Sequence, residues 1–259
     1  MDRFKNKHAI VTGASAGLGR VIAQAFAREG ADIAILDCQP AAITESAVKA
    51  EGRRCAVFPC DVRDEAAVSA AVASVADFFD QRVDILVNNA GFNGHYSLVK
   101  DMPLAHWQHT LDINLTGTML MTRAVLPLMI AARRGVIVST ASNVARRGLP
   151  YRADYVCSKW ALLGLTQTLA LENAPYNVRV NAVCPGPIEG DRIEDVMARH
   201  AEVEGKSIAE IRKTWEEAAP IKRFVRPEEV AAAMLFLCSD EASAMTGQAL
   251  NITGGFLMT

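Results

Sequence analysis

Thr12-Gly13-Ala14-Ser15-Ala16-Gly17-Leu18-Gly19 joins an apolar run, His8–Thr12, to a helix-like segment over 18–30. Three glycines between positions 13 and 19 let the backbone turn tightly and come close to a ligand. The helix that follows offers first-turn N–H groups with no partner inside the helix, and these favour phosphate. Strand, glycine-rich turn and helix in that order predict the phosphate-binding half of a dinucleotide fold. The spacing is G-x-x-x-G-x-G rather than G-x-G-x-x-G. The residues it nominates as a pyrophosphate cradle are Gly13, Ser15, Ala16, Gly17, Leu18 and Gly19.

Outward from this turn the chain alternates short apolar runs with helical segments. Further strands are predicted over 32–36, 54–59, 83–88, 135–140, 178–183 and 250–253. Helices are predicted over 41–51, 65–79, 104–132, 153–173 and 227–238. Strands separated by helices imply right-handed crossovers and a parallel sheet covered on both faces. Such strands read as nearly continuous apolar runs, as 33–36 and 136–138 do. The expected fold class is α/β, a doubly wound parallel sheet in a single domain over 1–259. The charged, helix-prone stretch 189–219 is expected to be a substrate-binding lid.

Asp37 follows the second run, 18 residues past Gly19. A carboxylate there accepts hydrogen bonds from the adenosine ribose and repels a 2′-phosphate. Its neighbours Ala16 and Cys38 carry no positive charge to hold that phosphate. The cofactor expected is therefore NAD rather than NADP.

Bulk composition narrows the class. The 259 residues are 51% hydrophobic and 22% charged, with a net charge of −2. That charge is too small to suggest electrostatic capture of nucleic acid or of a membrane surface. The polar start lacks a signal-peptide pattern, and no run approaches the roughly 20 apolar residues of a membrane span, so a cytoplasmic protein is expected. The six cysteines, at 38, 55, 60, 157, 184 and 238, match no zinc spacing, and no metal is expected.

At this point the chain resembles the short-chain dehydrogenase/reductase family, from about residue 5 to 256. Asp61-Val62, Asn88-Asn89-Ala90-Gly91, Asn114, Ser142, Tyr155-Val156-Cys157-Ser158-Lys159 and Pro185-Gly186 follow the family's order and spacing. The resemblance implies dinucleotide contacts at Asp61, Val62, Asn89, Ala90, Gly91, Pro185, Gly186 and the backbone of Ile188. It also implies a catalytic set of Asn114, Ser142, Tyr155 and Lys159, with Asn114 holding a water that connects Lys159 to solvent, and a homotetramer. One departure is Gly190, where the family often has a threonine.

These residue types suit hydride transfer. Tyr155 and Lys159 are four apart and share a helix face. A phenol titrates near pH 10, and a neighbouring ammonium lowers that value toward working pH. Lys159 would also hold the nicotinamide ribose, and Ser142 would orient the substrate oxygen. The expected reaction interconverts an alcohol and a ketone or aldehyde. The alternatives are a biosynthetic 3-oxoacyl-type ketoreductase, which Asp37 disfavours, and a non-catalytic dinucleotide sensor, which the intact Tyr and Lys disfavour.

Three arginines lie between Ser142 and Tyr155, at 146, 147 and 152. Arginine suits bidentate capture of a carboxylate or phosphate. Arg152, with Arg146 or His95, is therefore a candidate for holding an anionic substrate group. The competing expectation is that these arginines pair with lid acids such as Glu189, Asp191 or Glu194.

Overall fold

The computed structural model describes residues 2–258. Seven parallel strands, β1 (His8–Thr12), β2 (Asp32–Asp37), β3 (Cys55–Pro59), β4 (Ile85–Asn88), β5 (Gly135–Thr140), β6 (Val178–Pro185) and β7 (Ala249–Ile252), form one sheet in the order β3-β2-β1-β4-β5-β6-β7. The order reverses between β1 and β4, where Ala9 pairs with Ile85. In open α/β sheets the crevice beyond the strand ends at such a reversal binds ligands.

Alternate residues of each strand face opposite layers. Ala9, Val11, Ile33 and Ile35 join a core with α1 (Gly17–Arg28), α2 (Ala42–Ala50) and α9 (Pro227–Cys238). Ile10, Ala34 and Leu36 join a core with α3 (Glu65–Phe78) and α5 (Gly117–Ala132). Both faces being apolar explains the uninterrupted hydrophobic runs of these strands. The doubly wound expectation holds, with a single domain.

The helix expected over 104–132 is continuous but not uniform. It runs as α4 (Leu104–Leu111), one π-turn over Asp112–Thr116, then α5. A single π-turn widens a helix locally and is common at functional sites; here it carries Asn114. One segment departs from the expectation that no run approaches the roughly 20 apolar residues of a membrane span. Leu104–Ala132 spans 29 residues with a mean hydropathy of 1.5 in its most apolar window, long and apolar enough to cross one. Its apolarity has a local cause, since Leu120, Met121, Val125 and Met129 are buried against the sheet.

The stretch 189–219 folds as two helices, α7 (Asp191–Glu204) and α8 (Ile208–Ala218). Gly205, at φ 65°, ends the first in the left-handed region. Ser207 and Glu210 start the second with a capping box. The pair closes on its own small core of Met197, Ala201, Ile211 and Phe224.

Candidate active site

A cleft of about 920 Å³ lies over the ends of β1, β4, β5 and β6, with α7 and α8 on its far side. Every dinucleotide contact expected between Gly13 and Ile188 lines it, as do Ser142, Arg152, Tyr155 and Lys159.

The cradle after β1 is tightly built. Thr12 Oγ1 accepts from the backbone N–H of Asn89 and Ala90, and Asn89 Nδ2 donates to the carbonyls of Thr12 and Gly13. Asn89 is thus the brace that holds the first loop to the fourth strand. Behind the loop the buried Thr44 hydroxyl donates to the Ala14 carbonyl at 2.8 Å, and Arg20 donates to Ser15 O at 2.7 Å. Neither residue was singled out from sequence. Ala16 precedes α1 and offers no side-chain cap, so the first N–H groups are left for a ligand. This open helix start, with Gly17 at φ 53° and unobstructed space where its Cβ would be, fits a pyrophosphate.

Asp37 sits at the end of β2. One carboxylate oxygen accepts from Ser15 N at 2.8 Å and the other from Gln39 N at 2.9 Å. It therefore shapes the loop while facing the cleft. A further cation missed from sequence is Arg63, which lines the cleft but is taken up by Asp61.

The other end of the cleft centres on α6 (Ala153–Asn173). Tyr155 and Lys159 lie on its cleft face, with the Lys159 ammonium 5.7 Å from the Tyr155 ring centroid. Lys159 is buried and donates to Thr140 O at 2.7 Å. Burial raises the Tyr155 phenol, but the cations of Lys159, Arg192 and Arg152 and the nearby Ser142 hydroxyl outweigh it, so the phenol is held below its usual range. Burial also lowers Lys159, which the adjacent Tyr155 partly offsets.

Asn114 lies behind the cleft wall rather than in it. Its amide donates to Phe92 O and Ser158 Oγ, both at 3.0 Å, and its carbonyl accepts from Phe92 N at 2.7 Å. The side chain ties Phe92 to α6 through Ser158. Both hydrogens of this carboxamide are engaged, while its oxygen, with two lone pairs, accepts from Phe92 N.

His95 needs correction. It does not line the cleft. Gly94, at φ 78°, turns the chain so that His95 N bonds Asp154, and the His95 ring stacks on His106 at 3.8 Å. Arg146 is likewise turned away, donating to Ala249 O on β7.

Asp154 was missed from sequence. It is fully buried and accepts from Tyr155 N at 2.7 Å, His95 N at 2.9 Å and the Thr110 hydroxyl at 2.7 Å. It knits the 92–96 turn and α4 to the first turn of α6. Asp154→Ala is expected to cost about 3 kcal/mol, because several buried donors lose a charged acceptor. Thermal unfolding should then drop by roughly 6–12 °C; a Tm within 2 °C of the parent would refute this role.

The stretch 189–219 contributes Arg192, whose Nε donates to Asn93 Oδ1 at 2.5 Å and Nη2 to Gly91 O at 3.1 Å. It also contributes His200, hydrogen-bonded to the Tyr96 hydroxyl, and Trp215. Gly190 opens α7 at φ 130°, a conformation in which a threonine would be strained; the departure from the family pattern thus suits the backbone at the start of α7.

Comparison with known proteins settles the family. A family model described as enoyl-(acyl carrier protein) reductase matches residues 13–257. The chain belongs to the short-chain dehydrogenase/reductase family. It is 37% identical to galactitol 2-dehydrogenase of Agrobacterium fabrum, over 99% of this chain and 100% of that one. It is 36% identical to a 3-oxoacyl-[acyl-carrier-protein] reductase of Thermotoga maritima, again over 99% and 100%. Among solved structures, NAD+-bound xylitol dehydrogenase superposes with a TM-score of 0.94 at 36% identity, covering 97% of this chain and 99% of that one. As a member of this family the protein is an oxidoreductase that acts on alcohols or ketones with a nicotinamide dinucleotide.

Proposed function

We propose that this oxidoreductase is an NAD-linked dehydrogenase interconverting a small or medium polar secondary alcohol and its ketone, with Tyr155 as the general acid/base. The observation that carries the reading is one cleft with the glycine cradle and Asp37 at one end and Ser142, Tyr155 and Lys159 at the other. NAD, when bound, supplies the hydride acceptor. In oxidation the Tyr155 phenolate takes the hydroxyl proton of an alcohol whose oxygen Ser142 orients. Lys159 stabilises that phenolate and, with Asn89, Ala90, Gly91 and the Pro185–Ile188 turn, holds the nicotinamide end. In reduction Tyr155 returns the proton to the carbonyl oxygen. The lid excludes water and supplies substrate contacts. Asp61 and Val62 flank the adenine.

The NAD assignment rests on Asp37 and on the similarity to an NAD+-bound dehydrogenase. Steady-state kinetics with each dinucleotide and a panel of secondary alcohols tests it. NAD should be favoured at least ~100-fold in kcat/KM, since a 2′-phosphate against Asp37 costs several kcal/mol. Asp37→Ser should narrow that ratio by tenfold or more. Preference of the parent for NADP would overturn the assignment and favour the reductase reading that the Thermotoga relative raises.

A cytoplasmic homotetramer is also proposed. Leu104, Trp160 and Leu171 are exposed large apolar side chains on α4 and α6, as an interface between copies would require. Light scattering in solution checks the mass.

A further inference from the structure

Arg152 is only 4% exposed. Its guanidinium lies 4.8 Å from the Tyr155 ring centroid and 5.7 Å from that of Tyr96. One nitrogen donates to the Asn93 carbonyl, and the buried Nε has no partner. Among the described residues it forms no ion pair with a carboxylate. A buried charge without a counter-charge is costly to a fold. Other arginines of this chain show the ordinary solution. Arg53 pairs with Asp32, and Arg223 with Glu229.

Arg152 is not alone. Arg192 reaches in from α7 and bonds the side-chain oxygen of the same Asn93 whose backbone carbonyl Arg152 uses. The two cations therefore meet at one residue, beside the reacting phenol. Arg147 lines the same cleft, with its guanidinium 4.6 Å from the Phe256 ring centroid and a buried Nε that also lacks a partner. Neither Arg147 nor Arg192 pairs with a carboxylate among the described residues. The lid acids that line the cleft, Glu189 and Asp191, leave all three arginines unpaired. The side recess next to Arg152 and Arg192 adds Arg199 against a single acid, Asp195.

We propose that Arg152 and Arg192, supported by Arg147, form an anion cradle that selects a hydroxy acid or oxo acid, holding its carboxylate while its carbinol carbon faces Tyr155. The planar guanidinium fork matches a carboxylate in shape and hydrogen-bond directions. The substrate's charge then supplies the counter-charge that the protein leaves out. The companions of Arg152 are thus Arg192 and Arg147, in place of the Arg146 and His95 expected from sequence.

This rests on the dehydrogenase reading for its chemistry, so the test separates the two. The parent enzyme is assayed with NAD on 2-, 3- and 4-hydroxy carboxylates and on the corresponding primary amides, which keep shape and lose charge. The acid is expected to exceed its amide by about 30-fold or more in kcat/KM for at least one chain length, the range of a charge-assisted hydrogen-bond pair. In Arg192→Ala, an exposed lid position, the acid-to-amide ratio should fall at least ~10-fold, and in Arg152→Gln further still. Calorimetry with 4-oxopentanoate and 4-oxopentanamide reads the cradle without turnover, and only the acid should bind measurably. Equal turnover of acids and amides overturns the cradle while leaving the dehydrogenase intact. Selective binding of 4-oxopentanoate without turnover of any alcohol keeps the cradle and sinks the dehydrogenase reading. An Arg192→Ala defect confined to KM for NAD assigns Arg192 to the dinucleotide and overturns its place in the cradle.

Discussion

Tyr155→Phe is expected to lower kcat by about 10³-fold in both directions, the contribution of a positioned general acid/base. The aromatic ring is kept, so the stacking of Arg152 over it survives, and the loss isolates the hydroxyl. The pH dependence of the parent enzyme follows from the phenol's surroundings. Burial raises Tyr155, yet Lys159, Arg192 and Arg152 together pull it below the usual phenol range. In the proposed mechanism oxidation uses the phenolate, so its rate should rise with pH through that lowered value and then level. Reduction uses the phenol, so its rate should fall over the same window. Lys159→Met removes the largest favourable cation and leaves burial less opposed, so both limbs should move to higher pH. Stopped-flow rates from pH 5 to 10 check this. A Tyr155→Phe enzyme keeping more than a tenth of the parent kcat would remove Tyr155 from the chemistry.

What could be read from sequence follows from how local its causes are. The strand His8–Thr12, the loop after it and the helix Ala153–Asn173 are carried by apolar runs, glycines and an i,i+4 pair, and all three stand where they were expected. Arg192 was not legible, because its partners Gly91 and Asn93 lie 101 and 99 positions away. Asp154 was passed over beside Tyr155 for the same reason, since its role is defined by His95 and Thr110 on other elements. His95 was drawn toward the substrate by its place after Gly91, and only the left-handed turn at Gly94 reveals that its ring leaves the cleft. The division of 189–219 into two helices went unread, although Gly205 and the Ser207–Glu210 pair are an ordinary stop and start signal.

Gly19→Ala is expected to weaken dinucleotide binding by at least ~100-fold and to lower stability by about 1–3 kcal/mol, as overpacking of a close contact does. A Cβ at Gly19 would lie 2.6 Å from Asn89 Nδ2 and 2.8 Å from the Gly13 carbonyl carbon, and closer still to the Gly13 oxygen. Neither neighbour can retreat cheaply. Gly13 is itself hemmed in, because a Cβ there would meet Ala90 Cα at 2.7 Å, and the Asn89 amide is the brace between β1 and β4. Gly17→Ala separates close packing from backbone strain. Its φ of 53° costs an alanine about 1–2 kcal/mol, but its Cβ would enter open space. Without ligand, Gly17→Ala should leave the Asn89 brace in place, and Gly19→Ala should not. Hydrogen exchange at the Asn89 and Ala90 amides, both bonded to Thr12 Oγ1, reports the difference, and titration calorimetry with NADH reports binding. Unchanged exchange and NADH affinity in Gly19→Ala would mean that the loop yields without loss, and the third glycine would then have no part in shaping the cradle.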